Sequence, residues 1–336
     1  AKGSKMLGPK TELRVIAALL VAAFTFAAPP SAASAALPDY STSLNFISSK
    51  FVAGKALDGF SPGIPDYGFT LEAMLQRKAL GQKLLDQMAA VKANLADTTV
   101  FAKSAVSNYA YTNIGATRTI KPGLAGKYLF VSAALGVPNA PLRNAVIVDL
   151  KKAISSNGLI ASANGNTFEY SWVILGLASN GQQKLANLVA QKLVSLERPD
   201  GGFGTDQTGD TLASSADATG IALQALAYAK RTASTTQVIK LQKAIITSSG
   251  YLRSSQVTGD HWESWGDVDV NGTAYAAMGL KAAGANVSKV QAWMNGRISP
   301  TGGLITPWSN GAGDVFATAQ GMTAALGLSY LNLYSK

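Results

Sequence analysis

The chain has 336 residues, 47% of them apolar and 14% charged, with a net charge of +10; that charged share is little more than half the roughly 25% usual in soluble domains and fits a fold with a large buried fraction. It holds no cysteine and a single histidine, His261. Disulfides, thiolate metal sites, thiol nucleophiles and paired imidazoles are therefore excluded, and a serine triad would have His261 as its sole base.

At the start of the chain, Lys5, Lys10 and Arg14 precede the apolar run VIAALLVAAFTFAA (15–28), and PPSAASAA follows with small residues at a signal-peptidase spacing. Residues 1–35 are expected to be an export signal cut after Ala35, because 14 residues fall short of the roughly 18 that span a bilayer. The expected location is extracytoplasmic, with no stable membrane span after cleavage. The remaining chain stays basic, but its cations are scattered and form no patch suited to nucleic acid; an anionic envelope polymer is a more fitting partner.

From residue 66 onward one form recurs: an acid or small polar residue, a hydroxyl, then a helix crowded with Ala, Gly and aliphatics. The segments begin DYGFTLEAML at Asp66, FEYSWVILGL at Phe168, SADATGIALQ at Ser215, DVNGTAYAAM at Asp269 and DVFATAQGMT at Asp314. Aligned on the hydroxyl they give Thr70, Ser171, Thr219, Thr273 and Thr318, at intervals of 101, 48, 54 and 45 residues. The first interval is two periods, so a sixth unit is expected near 115–136, in GLAGKYLFVSAALG. Between these helices lie amphipathic ones, at 81–95, 182–196 and 234–248, with one apolar face. Glycine turns are expected after the outer helices, at 58–60, 157–159, 200–204, 249–251 and 301–303, with Gly115 or Gly123 serving the sixth unit. Helices buried all round belong in an inner ring and one-faced helices around it. The expected fold is all-α, one (α/α)6 toroid domain over residues 36–336, its helices spanning about 41–334.

LERPDGGFG followed by SSADATGIALQALA, and SPTGGL followed by DVFATAQGMTAALG, resemble the prenyltransferase/squalene-oxidase repeats of the terpenoid-cyclase and protein-prenyltransferase superfamily. The likeness extends to small exported actinobacterial repeat proteins and to the toroid of the cobalamin carriers transcobalamin and intrinsic factor, and it covers nearly the whole chain after residue 35. It implies the toroid fold; activity it leaves open, because this toroid hosts enzymes and carriers alike. The DxDD motif of class II cyclases is met only in part by DVDVNGTA, where Asp267 and Asp269 stand but Val270, Asn271 and Gly272 follow. The zinc set of the prenyltransferases lacks its cysteine, and no DDxxD run for magnesium and diphosphate occurs.

Asp66, Glu169, Asp217, Asp269 and Asp314 fall two to four residues before the aligned hydroxyls. They serve either as caps of the inner helices or as a ring of acids around one mouth. The stretch GDHWESWGDVDVNG (259–272) gathers His261, Trp262, Glu263, Trp265, Asp267 and Asp269, aromatics and carboxylates that would suit a sugar or flat ring, or would plug the end of the toroid. Asp200, Asp206 and Asp210 are spaced unlike an EF-hand, and a solvated loop explains them more simply than calcium. Tyr170, Trp172, Tyr275 and Trp308 face either a cavity or a neighbouring helix.

The leading expectation is a non-catalytic exported toroid, without metal or cofactor. It would bind a small hydrophobic or planar ligand, or an envelope partner, through Tyr170, Trp172, Asp217, His261, Trp262, Trp265, Asp269, Trp308 and Asp314. The alternatives are an enzyme using carboxylates such as Asp217 and Asp269, either terpene-cyclase-like or glycan-cleaving, and a structural or adhesive envelope protein with a filled toroid.

Overall fold

The computed structural model describes residues 39–81, 89–96, 108–114, 117–205 and 214–334; the expected signal segment lies outside them, as do Asp206 and Asp210. Among the described residues six inner helices follow one another: α2 (Tyr67–Ala79), α4 (Pro122–Ala134), α6 (Thr167–Ser179), α8 (Ala216–Lys230), α10 (Val270–Ala282) and α12 (Val315–Ala325). Each packs on the next, and α12 packs back on α2, so the ring closes. Outside it run α1 (Ser41–Ser49), α3 (Ala89–Ala96), α5 (Ala140–Lys152), α7 (Gln183–Val194), α9 (Thr235–Ser254) and α11 (Ser288–Asn295). The fold is the expected α/α toroid. Its ends are tied together where the Tyr40 hydroxyl donates to Asn295 Oδ1 at 2.9 Å, between the first and last outer helices.

The helix types follow from their residues. In α8 every residue from Ala218 to Ala229 is buried, whereas α7 buries Ala186, Asn187, Val189, Ala190 and Leu193 and leaves the rest of its surface wet, the one-sided pattern of an outer-ring helix. Inner helices approach closely where glycine allows it. A Cβ on Gly220 would stand 2.2 Å from the Tyr275 carbonyl oxygen, and one on Gly279 2.4 Å from that of Gly220, so α8 and α10 meet backbone to backbone.

The recurring hydroxyl is a structural tie. Thr70, Thr219, Thr273 and Thr318 each accept, through Oγ1, the backbone N–H of the residue entering the loop before their helix: Leu57, Phe203, Trp262 and Leu304, at 2.9, 2.9, 3.0 and 2.9 Å. In the third unit Tyr170 performs this task, its hydroxyl accepting from Ile160 N at 3.0 Å. Ser171, the expected residue, has a buried Oγ with no hydrogen-bond partner. The register expected there is thus corrected by one residue: Tyr170, like the threonines, stands four after its helix cap.

The turns also differ in part. Gly158, Gly201 and Gly302 have the positive φ expected of them. At Gly201 it is needed, since φ is +85° and any Cβ would stand 2.8 Å from the Thr247 carbonyl oxygen. Gly250, however, lies inside α9, and the turn falls later, at Thr258 and Gly259. Gly123 lies inside α4, behind the hairpin β1 (Tyr111–Ile114) and β2 (Thr117–Ile120), and Gly115 is outside the described residues.

The bore of the ring is filled from the end where the inner helices finish. After α12 the chain turns back, and a short 3-10 segment, Tyr330–Asn332, enters the axis. Tyr330 is fully buried; its backbone N–H donates to Gln224 Oε1 at 2.8 Å and its hydroxyl to Glu72 Oε2 at 2.8 Å. Tyr334 seals the rim, donating to the Ser179 carbonyl oxygen at 3.0 Å beside Phe130 and Tyr228. No helix among the described residues is long and apolar enough to cross a membrane.

Candidate functional site

All six inner helices begin at the other end of the ring, and their first turns form its mouth. Asp66, Asn166, Asp269 and Asp314 cap α2, α6, α10 and α12 by accepting from Phe69, Phe168, Gly272 and Ala317 N–H at 2.7–2.9 Å. At α8 the Ala218 N–H is shared by the cap residue Ser215, at 3.4 Å, and by Asp217 in the first turn, at 2.7 Å. Glu169 does not cap its own helix. Its Oε2 accepts from Gly123 N–H of α4 at 2.5 Å, supplying the cap that Lys121 lacks.

Two clefts open at this mouth. The lateral cleft, about 440 Å³, is lined by Asp217, Ser264, Trp265, Asp267, Asp269, Asn271, Thr306 and Trp308 among others. Asp217 and Asp269 come from the starts of α8 and α10, Asp267 from a hairpin strand, and the aromatics from two loops. Trp265 sits at the tip of the hairpin β3 (Glu263–Ser264) and β4 (Asp267–Val268), in a two-residue Trp-Gly turn with both φ positive, at +56° and +85°. Such turns favour Asn-Gly or Asp-Gly, and a bulky residue there is strained. Trp265 is nevertheless wholly exposed and Trp308 is 75% exposed, so neither indole is held by core packing. A strained, solvent-facing tryptophan beside carboxylates points to a surface shaped for a ligand.

Asp269 is the chemically distinctive group. Its carboxyl is pushed above the ordinary aspartate value of 3.8, chiefly by burial and further by the charge of Asp217; the hydrogen bonds from Gly272 N–H and the Ser264 hydroxyl at 3.0 Å oppose this and lose. A carboxyl held toward its acid form beside a second carboxylate is the arrangement of a proton donor with a partner.

The axial cleft, about 240 Å³, lies over the bore and is lined by Glu72, Gly123, Leu124, Lys127, Asn166, Phe168, Glu169, Trp172, Tyr275 and Gln320. At its floor is Glu72, a carboxylate 1% exposed. Lys127 Nζ pairs with Glu72 Oε1 at 2.6 Å and lies 4.9 Å from the centre of the Trp172 ring; the Tyr275 and Tyr330 hydroxyls donate to Oε2, and Gln320 Nε2 donates to Oε1 at 3.3 Å. Burial and the Glu72 charge raise the hydroxyls of Tyr275 and Tyr330 well above the ordinary phenol value. The clefts adjoin at the bond from Asn271 Nδ2, which lines one, to Gln320 Oε1, which lines the other, at 2.5 Å.

Of the expected site residues, Asp217, Trp265, Asp269 and Trp308 meet in the lateral cleft, and Trp172 lines the axial one. The others are corrected. Tyr170 is fully buried and ties a loop. Trp262 is 2% exposed, its indole N–H donating to the Leu252 carbonyl oxygen at 2.9 Å. His261 stacks on Trp293 at 5.0 Å and pairs through Nδ1 with Asp260 at 2.6 Å, among the residues of neither cleft, and so offers no base to a serine triad there. Asp314 is a helix cap. Asp200 accepts from Gly202 N–H and the Ser214 hydroxyl and so ties its own turn. Glu72, Lys127 and Gln320 went unnoticed in sequence, although Glu72 is the one acid within an otherwise uncharged run, YGFTLEAMLQ.

No protein-family model matches this chain, and no curated protein does. Among solved structures it is similar to one described as UGL with dGlcA-Glc-Rha-Glc, with a TM-score of 0.57 and 11% identity, covering 86% of this chain and 95% of that one. It is also similar to an unsaturated glucuronyl hydrolase from Bacillus sp. GL1, described as responsible for the degradation of glycosaminoglycan, with a TM-score of 0.51 and 11% identity over 78% of this chain and 85% of that one. At this identity the likeness is one of fold, an α/α toroid. It overturns the expectation of a non-catalytic toroid. That expectation rested on missing cyclase and prenyltransferase motifs, and this ring of helices also serves a hydrolase of another class, so those absences do not count against catalysis.

Proposed function

We propose that the protein is a glycan-cleaving hydrolase whose acid is Asp269 and whose second carboxylate is Asp217. The observation that carries this reading is the lateral cleft, where Asp269, with its raised proton affinity, stands with Asp217 between two exposed tryptophans. Sugar rings present a C–H face that stacks on an indole and a hydroxyl edge that hydrogen-bonds, so Trp265 and Trp308 serve as platforms while Ser264, Asn271 and Thr306 meet hydroxyls. Asp269 donates its proton to the glycosidic oxygen as the C–O bond breaks. Asp217 stabilises the positive charge growing at the anomeric carbon, and water adds there, giving two hydroxyl-ended products and restoring the acid. The fold shared with a glucuronyl hydrolase supports this class of reaction.

The six hairpin units also support kinship with prenyltransferase/squalene-oxidase repeats, in which case the chain is a branch that has exchanged cyclase acids for a sugar cleft. Residues 1–35 support export, and an envelope or extracellular glycan is then the natural substrate.

The test is incubation with a panel of neutral and acidic polysaccharides and their oligosaccharides, including lyase-generated unsaturated ones, with products followed by mass spectrometry. Hydrolysis of at least one member is expected, with turnover reduced by about 100-fold or more in Asp269→Asn and in Asp217→Asn. Hydrolysis unchanged in both variants, or no hydrolysis across the panel, would refute the proposal.

A further inference from the structure

We infer that the axial cleft is the end-unit subsite of this hydrolase and that it takes an uncharged sugar ring. The inference rests on the glycan-cleaving reading and concerns a cleft which that reading does not use.

Three observations carry it. The cleft is blind: below it lie Glu72, Tyr275 and Tyr330, all buried and bonded to one another. A chain that enters along the ring axis ends at this floor, and about 240 Å³ is the smaller space of the two, room for a single ring. The cleft also adjoins the lateral one at Asn271 and Gln320, and Asn271 stands two residues after Asp269 at the start of α10. Asp269 therefore lies beside the boundary, where the bond between an end unit and the rest of a chain would fall.

The third observation is the charge of the lining. Glu72 and Glu169 carry two negative charges against one positive, on Lys127. Glu72 already receives the Lys127 ammonium, two tyrosine hydroxyls and the Gln320 amide. Lys127 has three N–H donors, of which Glu72 takes one at 2.6 Å and the Gly68 carbonyl oxygen lies at 3.5 Å from the nitrogen. The lining thus offers donors from Lys127 and an acceptor from Glu169, which suits hydroxyls. A uronate carboxylate would bring a third negative charge to a lining whose one cation is already paired with Glu72, and would be disfavoured.

The test is ligand-detected saturation-transfer NMR on the full chain with monosaccharide probes: glucose, galactose, mannose, xylose and N-acetylglucosamine against glucuronic and galacturonic acid. At least one neutral probe is expected to bind and the acids to give no signal. Leu124→Trp, which fills the cleft from its wall, should weaken neutral binding by about tenfold or more. Glu169→Gln removes one charge and keeps an acceptor for Gly123 N–H, and should admit the acids. Uronates bound as well as neutral sugars, no probe bound, or binding indifferent to Leu124→Trp would overturn the inference. Asp269→Asn should keep probe binding while hydrolysis falls about 100-fold, so the two readings fail separately: absence of hydrolysis in the wild type with probes still bound refutes the catalytic reading and not the pocket's preference.

Discussion

Asp269 does two jobs with one carboxyl, since it caps α10 through Gly272 N–H and presents an acid to the lateral cleft. Substitutions separate them. Asparagine caps as well as aspartate, whereas alanine does not cap. Asp269→Asn is therefore expected to unfold within about 0.5 kcal/mol of the wild type and Asp269→Ala about 1 kcal/mol lower, by chemical denaturation, while the proposed hydrolysis should fall in both. The carboxyl has a second signature. Its proton affinity is raised on folding, so the stability linked to it is fully present below the unfolded value near 3.8 and is lost as pH rises through the higher folded value. Denaturation midpoints of wild type and Asp269→Asn, compared from about pH 3 to pH 7, should diverge in favour of the variant as pH rises. A constant difference would show that the carboxyl is not perturbed.

At the scale of the element, the unit is held by one hydroxyl reaching back to the loop that delivers the helix. Removing the Thr273 hydroxyl as Thr273→Val leaves the Trp262 N–H buried without its acceptor, at a cost of about 1–3 kcal/mol. Thr219→Val should cost as much, by the same reasoning at Phe203. The third unit offers a sharper comparison: Tyr170→Phe is expected to destabilise by that amount, as measured in urea, and Ser171→Ala by much less. The repeat was legible in the sequence because hydroxyl, acid and apolar helix recur together. Its register slipped at FEYSW, where Tyr170 and Ser171 adjoin and the serine resembles the threonines more closely. Acids at helix starts were legible as a group, but which of them cap was not. That depends on the residue two earlier: Ser215 holds the cap position of α8 and sets Asp217 in its first turn, at the cleft.

Across the whole molecule, the ring was readable from its period, but the contents of its bore were not. Tyr330 meets Glu72 across 258 positions of sequence, and Tyr275 meets it across 203; no local pattern announces such pairs. Trp262 and Trp265 stand three residues apart and look equivalent in sequence, yet one is core and the other wholly exposed, because Trp262 precedes the hairpin and Trp265 forms its turn. The axial tyrosine should matter greatly. Tyr330→Ala removes a buried ring and a partner of Glu72, and is expected to cost about 3–5 kcal/mol by denaturant titration, whereas a cost below about 1 kcal/mol would mean that the tail does not hold the bore. The filled bore leaves the mouth, where both clefts open on the helix starts, as the place for the proposed activity.

The central claim, that Asp269 is the proton donor and Asp217 its partner, is tested most directly by the pH dependence of kcat/KM on whichever oligosaccharide is hydrolysed. A bell is expected for the wild type. Its alkaline limb should mark loss of the Asp269 proton, at a pH above the ordinary aspartate range, and the residual activity of Asp269→Asn should lose that limb alone. An alkaline limb that persists unchanged in Asp269→Asn would contradict the assignment.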